Sequence, residues 1–265
     1  MSFTIGLAQC RRPDDGDVLA SVGRWVQAAK RERVNLLVFP EALMTKYDGS
    51  PEEFARQSQP ADGAFARGVD ELAARAGLWI AYTINERNPE GGLPYNTAVV
   101  VDGSGVQQAR YRKTHLFNAQ GFCESSYLSA GNELLKPVAT PFATLGLGIC
   151  YDLRFPEVAR AAALADAQVM LYPAAWVAGT GKVDQWETLL RARAIENGFF
   201  VAGCCCVDEG RIGHSCVFAP DGAPLATSGD EEQLVTCKIN LSLIDATRAA
   251  TPSLQHRRPS CYTAE

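Results

Sequence analysis

Three short segments bring side chains suited to nucleophilic chemistry to the ends of predicted strands. Glu41 follows Val38-Phe-Pro. Lys113 sits in Arg110-Tyr-Arg-Lys-Thr-His-Leu. Cys150 closes Gly146-Leu-Gly-Ile, ahead of Tyr151-Asp-Leu-Arg-Phe-Pro-Glu. A thiol reacts as its thiolate, so a cysteine nucleophile needs a neighbouring base or positive charge near pH 7. A cysteine on a strand-to-helix turn can also stand where backbone N–H groups hold an oxyanion. Singly, each residue has an ordinary alternative: Glu41 as a surface carboxylate, Lys113 as a solvated lysine, Cys150 as one more small core residue. Spacing alone does not bring the three together.

The elements that would have to position them alternate along the chain. Phe3–Gln9, Val34–Pro40 and Leu78–Ile84 read as buried strands, because short apolar runs suit strands covered on both faces. Val18, Val22, Trp25, Val26 and Ala29 lie at helical spacing, and a second helix covers about 62–76. Thr97–Val101, the turn Asp102-Gly-Ser-Gly and Val106–Tyr111 form a hairpin signal. Leu145–Ile149 leads into Cys150, and a helix follows from Pro156, which suits a first helical position. The second half repeats this logic. Gln168–Tyr172 is a strand ended by Pro173, and Val183, Trp186, Leu190 and Ala194 share a helical face on which Glu187 and Arg191 form an i,i+4 pair. Phe199–Val207, Ser215–Ala219, a strand near Leu225 and Gln233–Ile239 complete the strands. No linker divides the chain, so residues 1–265 read as one α/β domain.

Composition narrows the classes. The net charge of −5 and pI of about 5.4 argue against nucleic acid and anionic membrane as partners. No apolar run reaches the ~20 residues of a membrane helix, and the first residues lack a signal peptide's basic and apolar regions, so a cytoplasmic protein is expected. The nine cysteines include no C-x-x-C pair, which speaks against a disulfide framework or a zinc ribbon. The run Cys204-Cys-Cys reads as buried strand. His115, His214 and His256 lack zinc-ligand spacing, and no phosphate-binding glycine loop occurs.

Together, and in chain order, Phe39-Pro-Glu-Ala, Tyr111-Arg-Lys-Thr-His-Leu and Ile149-Cys-Tyr-Asp-Leu-Arg-Phe-Pro-Glu resemble the Glu, Lys and Cys signatures of the nitrilase superfamily of carbon–nitrogen hydrolases. Tyr172-Pro-Ala-Ala-Trp and Leu189-Leu-Arg-Ala-Arg-Ala-Ile-Glu-Asn are similar to that family's second-half motifs, and the match runs from the first strand to roughly Pro259. The resemblance implies a four-layer α-β-β-α sandwich, homodimers or higher homo-oligomers, and amide hydrolysis through a thioester without metal or organic cofactor. Cys150 would then be the nucleophile, Glu41 the general base, and Lys113 with the Tyr151 N–H the stabilisers of the tetrahedral intermediate. The family often carries a second glutamate between Lys and Cys. Glu124 in Phe122-Cys-Glu-Ser fits that place better than Glu133 in Ala130-Gly-Asn-Glu, although Cys123 stands where a polar residue is usual.

The substrate expectation also comes from resemblance. Tyr111-Arg-Lys-Thr-His-Leu, Gly213-His-Ser and Gln255-His-Arg-Arg-Pro resemble the deaminated glutathione amidase branch. That branch implies a small carboxylate-bearing amide with a 2-oxoglutaramate unit, cleaved to 2-oxoglutarate and an amine such as Cys-Gly. ω-Amidase action on 2-oxoglutaramate and N-carbamoyl amide hydrolysis are the nearest alternatives. Arg154 is a candidate carboxylate clamp, or else an ion-pair partner of Glu157. Trp176 and Phe117 are candidate pocket walls or plain core, and His115 is expected to shape the pocket or to satisfy a local hydrogen bond. From a different class, a noncatalytic interaction module or a thiol redox sensor using Cys204–Cys206 remains an alternative reading.

Overall fold

In the computed structural model, which describes residues 1–12, 17–46 and 49–262, the chain begins with the apolar strand β1 (Ser2–Gln9). It passes through α1 (Val18–Arg31) into β2 (Leu36–Val38), then α2 (Pro51–Arg56), α3 (Ala64–Ala76), β3 (Trp79–Glu86), β4 (Tyr95–Val101) and β5 (Gln107–Arg112). A small hairpin, β6 (Asn118–Ala119) with β7 (Phe122–Cys123), precedes β8 (Val138–Ala139) and β9 (Thr144–Leu147). Then follow α4 (Pro156–Leu164), β10 (Val169–Ala174), α5 (Lys182–Asn197), β11 (Phe200–Cys205), β12 (Cys216–Phe218), β13 (Pro224–Thr227), β14 (Gln233–Asn240) and α6 (Ser242–Ala250).

Two six-stranded sheets result, in the orders β14-β1-β2-β3-β4-β5 and β13-β12-β11-β10-β9-β8. Each has three parallel strands at its centre, β1-β2-β3 and β9-β10-β11, with antiparallel strands toward the edges. Side chains alternate across each sheet, and both faces are covered. In β2, Leu36 and Val38 point into a core shared with Leu145, Leu171 and Ala202 of the second sheet. Leu37 between them packs outward with Val22 and Val26 of α1 and Val69 of α3. In β10 the outward-facing Met170 and Tyr172 meet Val158 of α4 and Trp186 and Leu190 of α5. This two-sided burial is why the central strands read as unbroken apolar runs. The layers are helix, sheet, sheet, helix. The approach of α5 to β11 depends on Gly203, where a Cβ would lie 2.5 Å from Leu190 Cδ1 and from Trp186 Cζ2.

The structure departs from the sequence reading in places. β10 continues through Pro173 to Ala174. Its pairing with β9 ends at Leu171 while pairing with β11 goes on through Pro173 to Ala174. Glu187 does not pair with Arg191. It lies 3.4 Å from His214 Nδ1, while the Arg191 guanidinium sits 5.2 Å from the Phe218 ring centre. The short α2 carries a capping box between Ser50 and Glu53 with Pro51 in its first turn, and buries only Phe54. One buried residue leaves no periodicity to read.

Candidate active site

The three chemistry-bearing segments leave their strands at the same end of the sandwich. Beyond β2, the Phe39 N–H donates to the Ala81 carbonyl at 2.8 Å and keeps the chain beside β3 up to Glu41. Lys113 directly follows β5 and its N–H donates to the Asn96 carbonyl at 2.9 Å. Beyond β9, the Gly148 N–H donates to the Leu171 carbonyl at 3.0 Å, and two residues later the chain turns at Cys150 into a single 3-10 turn, Cys150–Arg154. Glu41 and Cys150 thus lie past the carboxyl ends of parallel strands in opposite sheets, where open α/β sheets place their ligands.

Cys150 adopts φ of +45°, a left-handed conformation that a non-glycine residue rarely takes. The turn is held by Asp152, which is fully buried. Its carboxylate accepts the Ile149 N–H at 2.8 Å and the Tyr111 hydroxyl at 2.8 Å, and on its other oxygen the Thr114 hydroxyl and the His115 N–H, both at 3.2 Å. One side chain therefore ties the cysteine turn to the loop that carries Lys113. Sequence reading passed over Asp152, although its place two residues after the cysteine was a usable signal.

Glu41, Lys113 and Glu124 are 3%, 2% and 2% exposed. The Lys113 ammonium lies 2.9 Å from Glu41 Oε1 and 2.9 Å from both oxygens of Glu124. Glu41 also accepts the Asn96 amide at 2.8 Å on Oε1 and the Ala175 N–H at 2.9 Å on Oε2. Glu124 accepts the Phe117 N–H at 2.6 Å. Each carboxylate is thus fixed by a neutral donor as well as by the lysine, as buried charges require. Glu133 is exposed and lies apart from this cluster. Asn96 is a second residue that sequence reading missed, since only the β3–β4 fold brings it to Glu41.

The electrostatics of the lysine and the cysteine differ. Burial alone would push the Lys113 ammonium down, but the carboxylates of Glu124 and Glu41 and the Cys150 sulfur outweigh it and hold its pKa well above the usual lysine value. Burial pushes the Cys150 thiol well above the usual range, Glu41 pushes it further, and Lys113 only partly opposes them. The resting cysteine is therefore a thiol beside a carboxylate, with that carboxylate and the Ala175 N–H within hydrogen-bonding range.

These groups line a pocket of about 210 Å³ whose walls include Phe117, Phe122, Tyr151, Trp176 and Val177, with Arg154, Lys182 and Arg211 among its lining residues. Arg154 is not paired with Glu157; its Nη2 donates to Gln185 Oε1 at 2.9 Å and its guanidinium lies 4.7 Å from the Trp176 ring centre. His115 does not line the pocket. Its Nδ1 lies 2.7 Å from Asp152 Oδ1 and its ring stacks on Phe155 at 3.7 Å, so of its two expected roles it takes the local hydrogen bond and supports the cysteine turn from behind. Cys204 and Cys205 lie in β11 and Cys206 directly after it, all three buried. Among the described residues, no group of three or more His, Cys, Asp or Glu side chains is arranged to hold a metal ion.

A family model described as carbon-nitrogen hydrolase matches residues 4–249. The chain belongs to the carbon–nitrogen hydrolase family. This carbon–nitrogen hydrolase is 36% identical over 264 residues to the human protein named deaminated glutathione amidase, covering 94% of this chain and 80% of that one. The solved structure of the Caenorhabditis elegans NitFhit protein, a nitrilase and fragile histidine triad fusion, superposes with a TM-score of 0.89 at 30% identity, over 99% of this chain and 66% of that one. An amidase from Nesterenkonia sp. AN1 superposes with a TM-score of 0.82 at 26% identity, over 99% of this chain and 98% of that one. That amidase, as a glutamate-to-glutamine mutant, has been seen with acrylamide added to its active-site cysteine. The chain spans 61% of the worm fusion protein's length in the sequence match. With this family and these neighbours, the four layers are those of the nitrilase superfamily sandwich, as the sequence resemblance implied.

Proposed function

We propose that this carbon–nitrogen hydrolase cleaves a small carboxylate-bearing amide, with Cys150 as nucleophile, Glu41 as general base, and Lys113 with the Tyr151 N–H stabilising the oxyanion. The observation that carries the reading is the buried Glu41–Lys113–Glu124 cluster facing the Cys150 thiol in one pocket. As the amide carbonyl arrives, the thiol proton passes to Glu41 while sulfur bonds to the carbonyl carbon. The oxyanion forms beside the Lys113 ammonium, a fixed positive charge that needs no reorganisation. Collapse expels the amine, which takes the proton from Glu41 and leaves a thioester on Cys150. Glu41 then takes a proton from water, whose oxygen attacks the thioester. The carboxylic acid departs as the sulfur recovers its proton. Glu124 holds Lys113 in place through both of its oxygens and so positions the charge.

The human relative's name supports deaminated glutathione as the substrate, cleaved to 2-oxoglutarate and Cys-Gly, with Arg154 receiving the 2-oxo acid's carboxylate. The test is 2-oxoglutarate release by the purified protein from deaminated glutathione and, separately, from 2-oxoglutaramate, with Cys150→Ala as control. Release chiefly from the peptide, lost in the mutant, is the expected result. Preference for 2-oxoglutaramate would make the protein an ω-amidase. Release from neither would overturn the substrate and send the search to carbamoyl and other amides.

A further inference from the structure

The catalytic pocket contains more positive charge than one carboxylate needs. Arg154, Lys182 and Arg211 all line it, half-buried. Among the described residues none of the three lies within ion-pair distance of an Asp or Glu side chain; Arg154 reaches Gln185 and Arg211 reaches only its neighbour's carbonyl, Gly210, at 3.4 Å. The pocket's own carboxylates do not neutralise them, because Glu41 and Glu124 are both engaged by Lys113. Partly buried cations without counter-ions are costly unless something anionic completes them.

The three cations meet Trp176 in two ways. Arg154 lies over the Trp176 ring, and the indole N–H donates to the Lys182 carbonyl at 3.2 Å, so both residues contact its side chain. They sense each other, since burial first and then the Arg154 charge lower the Lys182 pKa from its usual value. Arg211 comes from a different segment. It bridges Val177, the residue after Trp176, as an isolated antiparallel pair, and the next residue's N–H donates to the Trp176 carbonyl at 3.1 Å. Backbone bonds thus hold the Arg211 main chain at the pocket wall. Its guanidinium is a planar paired donor whose shape matches a carboxylate.

We propose that the pocket has two anion subsites, Arg154 with Lys182 and, separately, Arg211, and that this hydrolase selects amides bearing two carboxylates, with the second bound by Arg211. The inference rests on the amidase reading of the same pocket and adds to it a requirement on the amide's other half. An amide whose leaving amine ends in a free carboxylate meets that requirement, whereas a primary amide of a 2-oxo acid does not.

The test separates the two readings by avoiding turnover. Iodoacetamide alkylation of Cys150, followed by peptide mass mapping, is run with the unreactive diacids from glutarate through suberate and with the straight-chain monoacid of the same carbon count as each, which has no amide to cleave. At least one diacid should protect Cys150 about tenfold better than its monoacid, the lower end of what a hydrogen bond between charged groups contributes. In Arg211→Gln that ratio should fall to about one, and so should the kcat/KM preference for deaminated glutathione over its C-terminal amide. Equal protection by every diacid and its monoacid would overturn the second subsite. So would an Arg211→Gln variant that loses protection by both in equal measure, which marks a structural role. A diacid ratio that persists and depends on Arg211, in a protein that cleaves neither 2-oxoglutaryl amide, would support the two subsites while removing the substrate assigned above.

Discussion

At the residue scale the site turns on one lysine between two carboxylates. Removing it with Lys113→Met leaves Glu41 and Glu124 buried without their cation, and breaking a buried pair in this way costs about 3–5 kcal/mol. Urea unfolding should show that loss, and adding Glu124→Gln should recover part of it; a stable Lys113→Met protein would mean the carboxylates find other partners. The pH dependence follows from the direction of the shift. The folded-state ammonium holds its proton more tightly than the unfolded chain does. Its contribution is therefore complete below the ordinary lysine pKa and is lost as pH rises past that value through the raised one. Cys150 gives a second prediction. After burial, the Glu41 charge is the largest cause of its raised pKa, so Glu41→Gln should lower the thiol pKa and speed iodoacetamide alkylation at pH 8 while turnover falls. Slower alkylation in that variant would show that Glu41 acts as a base toward every electrophile.

At the scale of elements, the cysteine turn and the lysine loop come from different sheets and meet through Asp152. Its carboxylate accepts Ile149, Tyr111, Thr114 and His115. Asp152→Asn replaces one accepting oxygen with an N–H that faces donors, so it should cost about 1–3 kcal/mol in urea unfolding and lower kcat more than it raises KM, since it moves Cys150 relative to Lys113. A kcat equal to wild type would show that the turn keeps its shape without this tie. The same junction marks what sequence could tell. β2, β3, β10 and β11 were legible because burial on both faces writes continuous apolar runs, and Glu41 and Cys150 because each ends such a run; Lys113 follows the mostly polar β5 and was legible only from the wording of the segment around it. Asn96 and Arg211 act through partners far away in the chain, and their local sequence carries no period or cap to expose them, whereas Asp152, which also accepts the nearby Ile149 N–H, had only its place after the cysteine to mark it. The short α2 had a cap but no face. For His115, the residue type left pocket and local hydrogen bond both open, and the ring turns toward Asp152 and Phe155.

At the scale of the whole molecule, the two-sheet core decides the fate of the cysteines. Cys204 faces the core between the sheets, its sulfur 3.2 Å from the Val38 carbonyl and 3.6 Å from that of Ala8, while Cys205 and Cys216 pack outward against the α4–α5 layer. Burial is the leading cause of raised thiol pKa values at Cys10, Cys204 and Cys216, and it pushes Cys237 to about 11. For Cys206 a hydrogen bond with Cys205 comes first and burial second. Only Cys123 and Cys261 are exposed, and hydrogen bonds from Ser125 and Ser126 lower the Cys123 pKa. A redox sensor needs an accessible, acidic thiol; Cys204, Cys205 and Cys206 are all buried, and the thiols of Cys204 and Cys206 are pushed up. Disulfide-exchange titration of the native protein with Ellman's reagent at pH 7.5 should therefore show two fast thiols, mapping to Cys123 and Cys261. Cys150, half-buried and with its proton held, should follow more slowly, and the full nine should react only after denaturation. A fast thiol mapping to Cys204, Cys205 or Cys206 would mean that the sandwich opens in solution, and would restore the sensor reading that this packing argues against.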